Sequence, residues 1–304
     1  MSKNPSIKPF KSKTPKVYKN KKLNTANFGN FTHTDYQVFL HLVSKIGGVD
    51  EIGKYLQPEQ LQREHTLTAK EFSQAFNIDI KNSYRFLKSS VDKLMKTDLT
   101  VQRNESDELW RINVCSRAKY NKNEGYITIK FTDDIMPYLA QVKQKFLLYN
   151  LKEVANFGSL YTTRLYELIQ EFKETGYMTK SVDQLRESFA VGGKFKLYAD
   201  FKKKTFDHAC REINDNYKMN LGYEEIKEGR KVVAIKFVFR KTRVRKVVNQ
   251  KTGVETNVYE KPTIRNQKSS DVIEGQLAFD EDTKATPLKK SLDSLLANIR
   301  SNKE

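Results

Sequence analysis

The sequence predicts an α+β protein in which one small domain is used twice, each copy a helical core followed by a β-hairpin. Three observations carry this. The order helix, helix, turn, helix, two-stranded ribbon occurs once before and once after about residue 140. Phe86-Leu87-Lys88-Ser89-Ser90-Val91-Asp92 lines up with Phe201-Lys202-Lys203-Lys204-Thr205-Phe206-Asp207, with Phe, Lys and Asp matching at a constant offset of 115 residues. Upstream, Phe72-x-x-x-Phe76 answers Leu185-x-x-x-Phe189. A repeated window inside a repeated element order reads as a tandem duplication, and the order within each copy is that of a winged helix, the hairpin being the wing.

Four segments follow. Residues 1–22 form a basic arm, with eight lysines, no acid, and Pro5, Pro9 and Pro15 against any helix. The first domain covers 23–140. Tyr36, Phe39, Leu40 and Val43 have the 3-and-4 spacing of a helix face over Thr32–Ile46. Thr68 with Glu71 forms a capping box that opens a second helix, with Phe72 and Phe76 inward. Asn77-Ile78-Asp79 makes a turn. A third helix over Lys81–Met95 carries Tyr84, Leu87, Val91 and Leu94 on one stripe. Leu109–Ala118 and Tyr126–Phe131 read as strands around the turn Asn121–Gly125, with Ile127, Ile129 and Phe131 on one face.

The second domain covers 141–246. A long helix spans Ser159–Thr175, and Ser181 with Gln184 caps a short one carrying Leu185 and Phe189. Gly192-Gly193 breaks the chain. Tyr198–Asn214 is a helix with Tyr198, Phe201, Ala209 and Ile213 on its apolar side, and Met219–Ile226 and Val232–Phe239 are strands around Glu228-Gly229. Residues 247–304 read as a mostly disordered tail, ending in a short amphipathic helix through Leu288, Leu292, Leu295, Leu296 and Ile299.

The charge narrows the function. Among 304 residues, 55 lysines and arginines stand against 37 acids, a formal +18 with pI near 9.6. Such a chain attracts polyanions, nucleic acid first and an acidic membrane surface second. No apolar run approaches the roughly 20 residues of a membrane span, and the N-terminus lacks the apolar stretch of a secretory signal. Cys115 and Cys210 are too few for a disulfide framework or a four-cysteine metal site and fit a reducing compartment. A cytoplasmic protein is the expectation.

Catalytic patterns are weak. His33, His41, His65 and His208 lack metal-ligand spacing, with His33 and His41 expected to pack or face water. No phosphate-cradling G-x-x-x-x-G-K-[ST] occurs. A rolling-circle nickase would use a tyrosine nucleophile and usually a His-apolar-His metal motif. The tyrosines are present and that motif is not. The expectation is a non-enzyme without cofactor or metal.

Duplex DNA is the partner the basic residues suggest. Lys194 and Lys196 precede the Tyr198 helix, and Lys202, Lys203 and Lys204 fall in its first two turns. At about 100° per residue, Lys203, Lys204, Asp207, His208 and Arg211 point away from the apolar stripe, while Lys202 falls at its edge. Residues at the start of a recognition helix reach base edges in the major groove. Arg230 and Lys231 sit at the second wing's tip, and Arg243 and Arg245 belong to the run Arg240–Lys246, five cations in seven residues. In the first domain, Lys81, Asn82, Arg85 and Lys88 occupy the corresponding helix, where Asp79 and Asp92 dilute the charge and phosphate positioning outweighs base reading. The bland alternative throughout is a solvated helix face.

These motifs also resemble a known family. Thr68-Ala69-Lys70-Glu71-Phe72, Ile80-Lys81-Asn82-Ser83-Tyr84, and Gly125-Tyr126-Ile127-Thr128-Ile129 leading to Phe131-x-x-x-Ile135-Met136-Pro137-Tyr138-Leu139 resemble the first winged helix of the iteron-binding plasmid replication initiators. Tyr161-x-x-Arg164-Leu165-Tyr166-Glu167-Leu168 and Gly229-Arg230-Lys231-Val232-Val233 resemble the second. Within the family, the chain is similar to initiators of the small circular DNAs called Sphinx or bovine meat and milk factors. The resemblance implies binding of repeated origin sites (iterons) through both winged helices, melting of an adjacent AT-rich segment, and recruitment of host helicase and polymerase. It also implies a homodimer through the first domain and repression at an inverted repeat. The Tyr198 helix would be the main reader, with Lys203 and Lys204 its foremost contacts. Gln276-Leu277-Ala278-Phe279 resembles the short peptides that dock on the bacterial sliding clamp. A repressor without initiation activity and a rolling-circle nickase are the alternatives.

Overall fold

The computed structural model describes residues 15–25, 28, 31–47, 56–102, 109–139, 146–217, 219–239, 243–248 and 255–260. The chain enters through β1 (Lys16–Asn20) and α1 (Lys22–Thr25). Within the expected arm, residues 16–22 are folded. β1 pairs antiparallel with β7 (Phe146–Asn150), and Val17, Lys19 and Leu23 are fully buried. The lysine count concealed a strand, because one of those lysines is an interior residue with an interior partner, Glu167.

α2 (His33–Ile46) starts at Thr32, whose hydroxyl accepts from Asp35 N–H while the Asp35 carboxylate accepts from Thr32 N–H. The same carboxylate accepts from Ser90 (2.9 Å) and Lys93 (2.6 Å), tying α2 to the third core helix. After a 3-10 turn at Pro58–Gln60 comes β2 (Glu64–Thr68), a strand with no periodicity long enough to predict it. α3 (Ala69–Phe76) begins on the Thr68/Glu71 capping box and ends at Asn77 in the left-handed region. α4 (Ile80–Lys96) is capped by Asp79. Its buried stripe is Ser83, Leu87, Ser90 and Leu94 rather than Tyr84, Leu87, Val91 and Leu94; Tyr84 is 42% exposed. Both serines hydrogen-bond, to Asp79 C=O and to Asp35, so small polar side chains serve where neighbouring helices come close.

The expected strand Leu109–Ala118 is two strands. β3 (Asp98–Gln102) pairs with β4 (Leu109–Asn113) as a separate ribbon, and the chain switches sheets at buried Val114. β5 (Cys115–Asn121) and β6 (Tyr126–Phe131) form the wing, and β2 joins β6 to complete a sheet of order β2-β6-β5. Short α5 (Met136–Leu139) and α6 (Lys152–Ala155) flank β7.

α7 (Leu160–Glu171) is buried from Thr162 to Ile169. Expected inside the second domain, it serves both halves, with α2 and β7 on one side and the last core helix on the other. β8 (Tyr177–Ser181) then leads into α8 (Val182–Ser188) through the Ser181/Gln184 capping box, as β2 leads into α3. The expected Tyr198–Asn214 helix breaks at buried Thr205 (φ −113°, ψ −92°) into α9 (Tyr198–Lys204) and α10 (Phe206–Tyr217). The Thr205 hydroxyl donates back to Phe201 C=O (2.6 Å), a bond that bends helices. β9 (Gly222–Glu228) and β10 (Lys231–Val238) form the second wing in a sheet of order β8-β10-β9, the same plan as the first.

The chain therefore contains two winged helices. β11 (Arg243–Val248) and β12 (Glu255–Glu260) pair antiparallel, and this ladder reaches into the segment expected as the tail. Residues 1–14 of the arm, the expected domain boundary at Ala140 and Gln141, Gln276–Phe279 and the Leu288–Ile299 helix lie outside the described residues.

Candidate nucleic-acid interface

Each half presents one helix and one wing to solvent. At the offset of 115, the exposure of α4 repeats at several positions from Lys196 through α10. Lys88 and Ser89 are exposed like Lys203 and Lys204, Ser90 and Leu94 are buried like Thr205 and Ala209, and Lys81 is exposed like Lys196. The match is partial, since Leu87 is buried where Lys202 is half-exposed and Met95 is exposed where Cys210 is buried.

Lys194, Lys196, Lys203, Lys204, Arg211, Arg230 and Lys231 are all exposed. Arg230 and Lys231 lie at the wing turn that Gly229 makes with φ 58°. The Arg211 Nε donates to Asp207 C=O (3.2 Å) on its own helix. Lys202 differs. Its ammonium lies 2.8 Å from Glu225 on β9 and 5.4 Å from the centre of the Tyr223 ring, and the Glu225 contact raises its pKa above the ordinary lysine value. Glu225 also accepts from the Tyr198 hydroxyl (2.9 Å), and Tyr223 donates to Asp207. These bonds brace the wing against α9 and α10, so the Lys202 ammonium is held within the fold while Lys203 and Lys204 are exposed.

In the first half, Lys81, Asn82, Arg85 and Lys88 are exposed, with Arg85 donating to the Asn82 side chain (3.0 Å). The Tyr84 ring lies over Gly125 at the wing turn, where φ is 64° and any Cβ would meet the ring at 2.0 Å. Arg243 and Arg245 lie on β11, in register with Glu260 and Val258.

Sequence reasoning passed over Arg186. From α8 it donates to the carbonyls of Phe195 (2.8 Å), Lys196 (3.3 Å) and Lys194 (3.4 Å), and its guanidinium sits 4.5 Å from the Phe201 ring centre. It fixes the loop that carries two of the candidate lysines. A lone arginine on a short helix carries no signal of this in sequence. Arg164 and Glu167 stand in the Tyr161–Leu168 motif, where nothing signals the buried network they form with Lys19, Tyr36 and Tyr149.

Both cysteines, His41 and His65 are buried, while His33 is half-buried and His208 is exposed. Burial pushes the Cys115 and Cys210 thiols up to about 11 and about 12, away from the thiolate. His33 Nε2 lies 2.7 Å from Phe157 C=O, His65 Nε2 2.7 Å from Gln62 C=O, and burial pushes His41 down to about 4. Burial raises the hydroxyl pKa of Tyr36, Tyr149 and Tyr166, opposite to what a nucleophile needs. Among the described residues, no cluster of His, Cys, Asp or Glu is arranged to hold a metal, and no helix is long and apolar enough to cross a membrane.

Comparison with known proteins gives consistent matches. Residues 16–170 match the family described as "Initiator Replication protein, WH1" and residues 181–239 that described as "Initiator Rep protein, WH2". The first match runs through α7, beyond the boundary expected at 140. Similar curated proteins include the PI protein of Escherichia coli, 32% identical over 155 residues (45% of this chain, 50% of the relative). A replication initiation protein of Escherichia coli is 26% identical over 152 residues (48% and 46%). The chain spans about half the length of the curated relatives it matches. The crystal structure of Pi initiator protein in complex with iteron DNA shares the fold, with TM-score 0.62 at 23% identity, covering 75% of this chain and 98% of that one.

Proposed function

The chain belongs to the initiator replication protein family, and from that premise we propose that it binds repeated duplex sites in a plasmid origin, helps open the origin and recruits host replication proteins. The observation that carries this is the pair of equivalent helices, α4 and α9 with α10, each beside a wing and each with exposed cations, Lys88 and Lys203 standing at matching positions. The relative whose structure holds iteron DNA supplies the ligand class. α9 is the principal base reader through Lys203 and Lys204, Arg230 and Lys231 reach the flanking phosphates, and α4 positions the first half through Lys81, Asn82, Arg85 and Lys88. The protein acts without catalysis, in the cytoplasm, and dimerises through its first domain. Gln276–Phe279 serves as a docking peptide for the sliding clamp.

Footprinting on the protein's own replicon, at several salt concentrations with scrambled competitor, tests this. Evenly spaced direct repeats, protected with an affinity that falls steeply with salt, are expected because many phosphates are neutralised. A lone inverted repeat would favour a repressor. A salt-insensitive or absent footprint, or a 5′-tyrosyl adduct on nicked supercoiled DNA, would refute the proposal.

A further inference from the structure

Leu197 is an apolar side chain that the fold holds out in water. It is 69% exposed, the most exposed large hydrophobic residue among the described residues. It directly precedes α9, its carbonyl accepting the Phe201 N–H (3.1 Å), and exposed Lys194, Lys196, Lys203 and Lys204 surround it in sequence. The loop that delivers it is costly and rigid. Phe195 takes φ 56°, in the left-handed region that disfavours a bulky residue. It stays there because its ring packs on Tyr161 (6.1 Å between centres) and Arg186 holds its carbonyl. A lone leucine among cations is too small a patch for a protein partner. It suits a polyanion that carries single methyl groups.

We infer that Leu197 contacts the C5-methyl group of a thymine in the major groove, an inference that rests on α9 being the base-reading helix. Apolar contact with that methyl distinguishes A·T from G·C without a hydrogen bond. At the 115-residue offset the first half has the polar Asn82, whose side chain accepts from Arg85 (3.0 Å), so the apolar contact belongs to the second half alone.

The test uses the full chain and a duplex it selects from a random pool. Each thymidine is replaced in turn by deoxyuridine, which deletes only the methyl. The wild type should lose about fourfold in affinity at one thymine, the worth of one buried methyl. Leu197→Ala should be indifferent to that replacement while keeping the rest of the profile, and Leu197→Met should keep the sensitivity. Because the side chain is largely exposed, the variants should fold, with circular dichroism as the check. Identical deoxyuridine profiles for wild type and Leu197→Ala, or no sensitive thymine, would overturn the inference and leave the DNA-reading function standing. Failure to select any sequence would refute that function itself.

Discussion

Replacing Glu167 with glutamine should damage the protein far more than replacing Lys19, the cation paired with it. Both side chains are fully buried, with Lys19 Nζ 2.6 Å from Glu167 Oε1. Tyr149 (2.5 Å) and Tyr36 (2.7 Å) also donate to the carboxylate, and the Arg164 guanidinium lies 3.9 Å away. Glu167→Gln removes the one anion among these groups, strands two buried cations and turns an amide N–H₂ toward donors. Removing one partner of a buried pair costs about 3–5 kcal/mol, a large share of a typical stability of about 5–15 kcal/mol. Lys19→Met deletes a charge that burial already disfavours, its pKa lowered to about 8, and leaves Glu167 with two donors, Tyr36 and Tyr149, and the Arg164 guanidinium nearby. Its cost should be about 1 kcal/mol, one net hydrogen bond. Urea denaturation at pH 7, followed by far-ultraviolet circular dichroism, measures both. The wild type should also gain stability between pH 8 and 10. Across that window the unfolded lysine still holds its proton and the folded one has released it, so the unfolded state binds more protons. Lys19→Met should lack that slope. A Glu167→Gln variant within about 1 kcal/mol of wild type, or equal costs for the two variants, would refute the reasoning.

Three further outcomes are expected. Burial holds His41 at about 4, below the unfolded value, so stability is lost as pH falls from 6.5 toward 4 while the unfolded state takes up the proton. His41→Leu should flatten that limb in thermal melts by about 3 kcal/mol at its lower end, and an unchanged limb would count against it. Gly125→Ala should cost about 1–2 kcal/mol, from its positive φ and from displacing the Tyr84 ring, and adding Tyr84→Ala should return only the clash. Lys203→Ala should reduce the slope of log affinity against log salt by about one, while Lys202→Met, whose charge is already paired with Glu225, should leave it nearly unchanged. Equal slopes for the two variants would contradict the division of labour between them.

The features legible in the residues alone are local or periodic. The capping boxes at Thr68 and Ser181 stand where the residues put them, because a cap closes within four residues. β6 and both wing turns follow from alternation and glycine. The offset between residues 86–92 and 201–207 matched the exposed pair Lys88 and Ser89 with Lys203 and Lys204, but the break at Thr205 ends the common helix phase there. Tertiary structure decided the rest. β2 and β8 are strands because β6 and β10 offer them an edge, and no pattern in Glu64–Thr68 announces that. Lys19 and Arg164 are interior because Glu167, Tyr36 and buried carbonyls from distant segments satisfy them. Likewise Lys202 parts company with Lys203 and Lys204 because only the folded chain brings Glu225 within 2.8 Å of it. A charge reads as surface in sequence, and whether it faces water, a partner or DNA depends on contacts made across the fold.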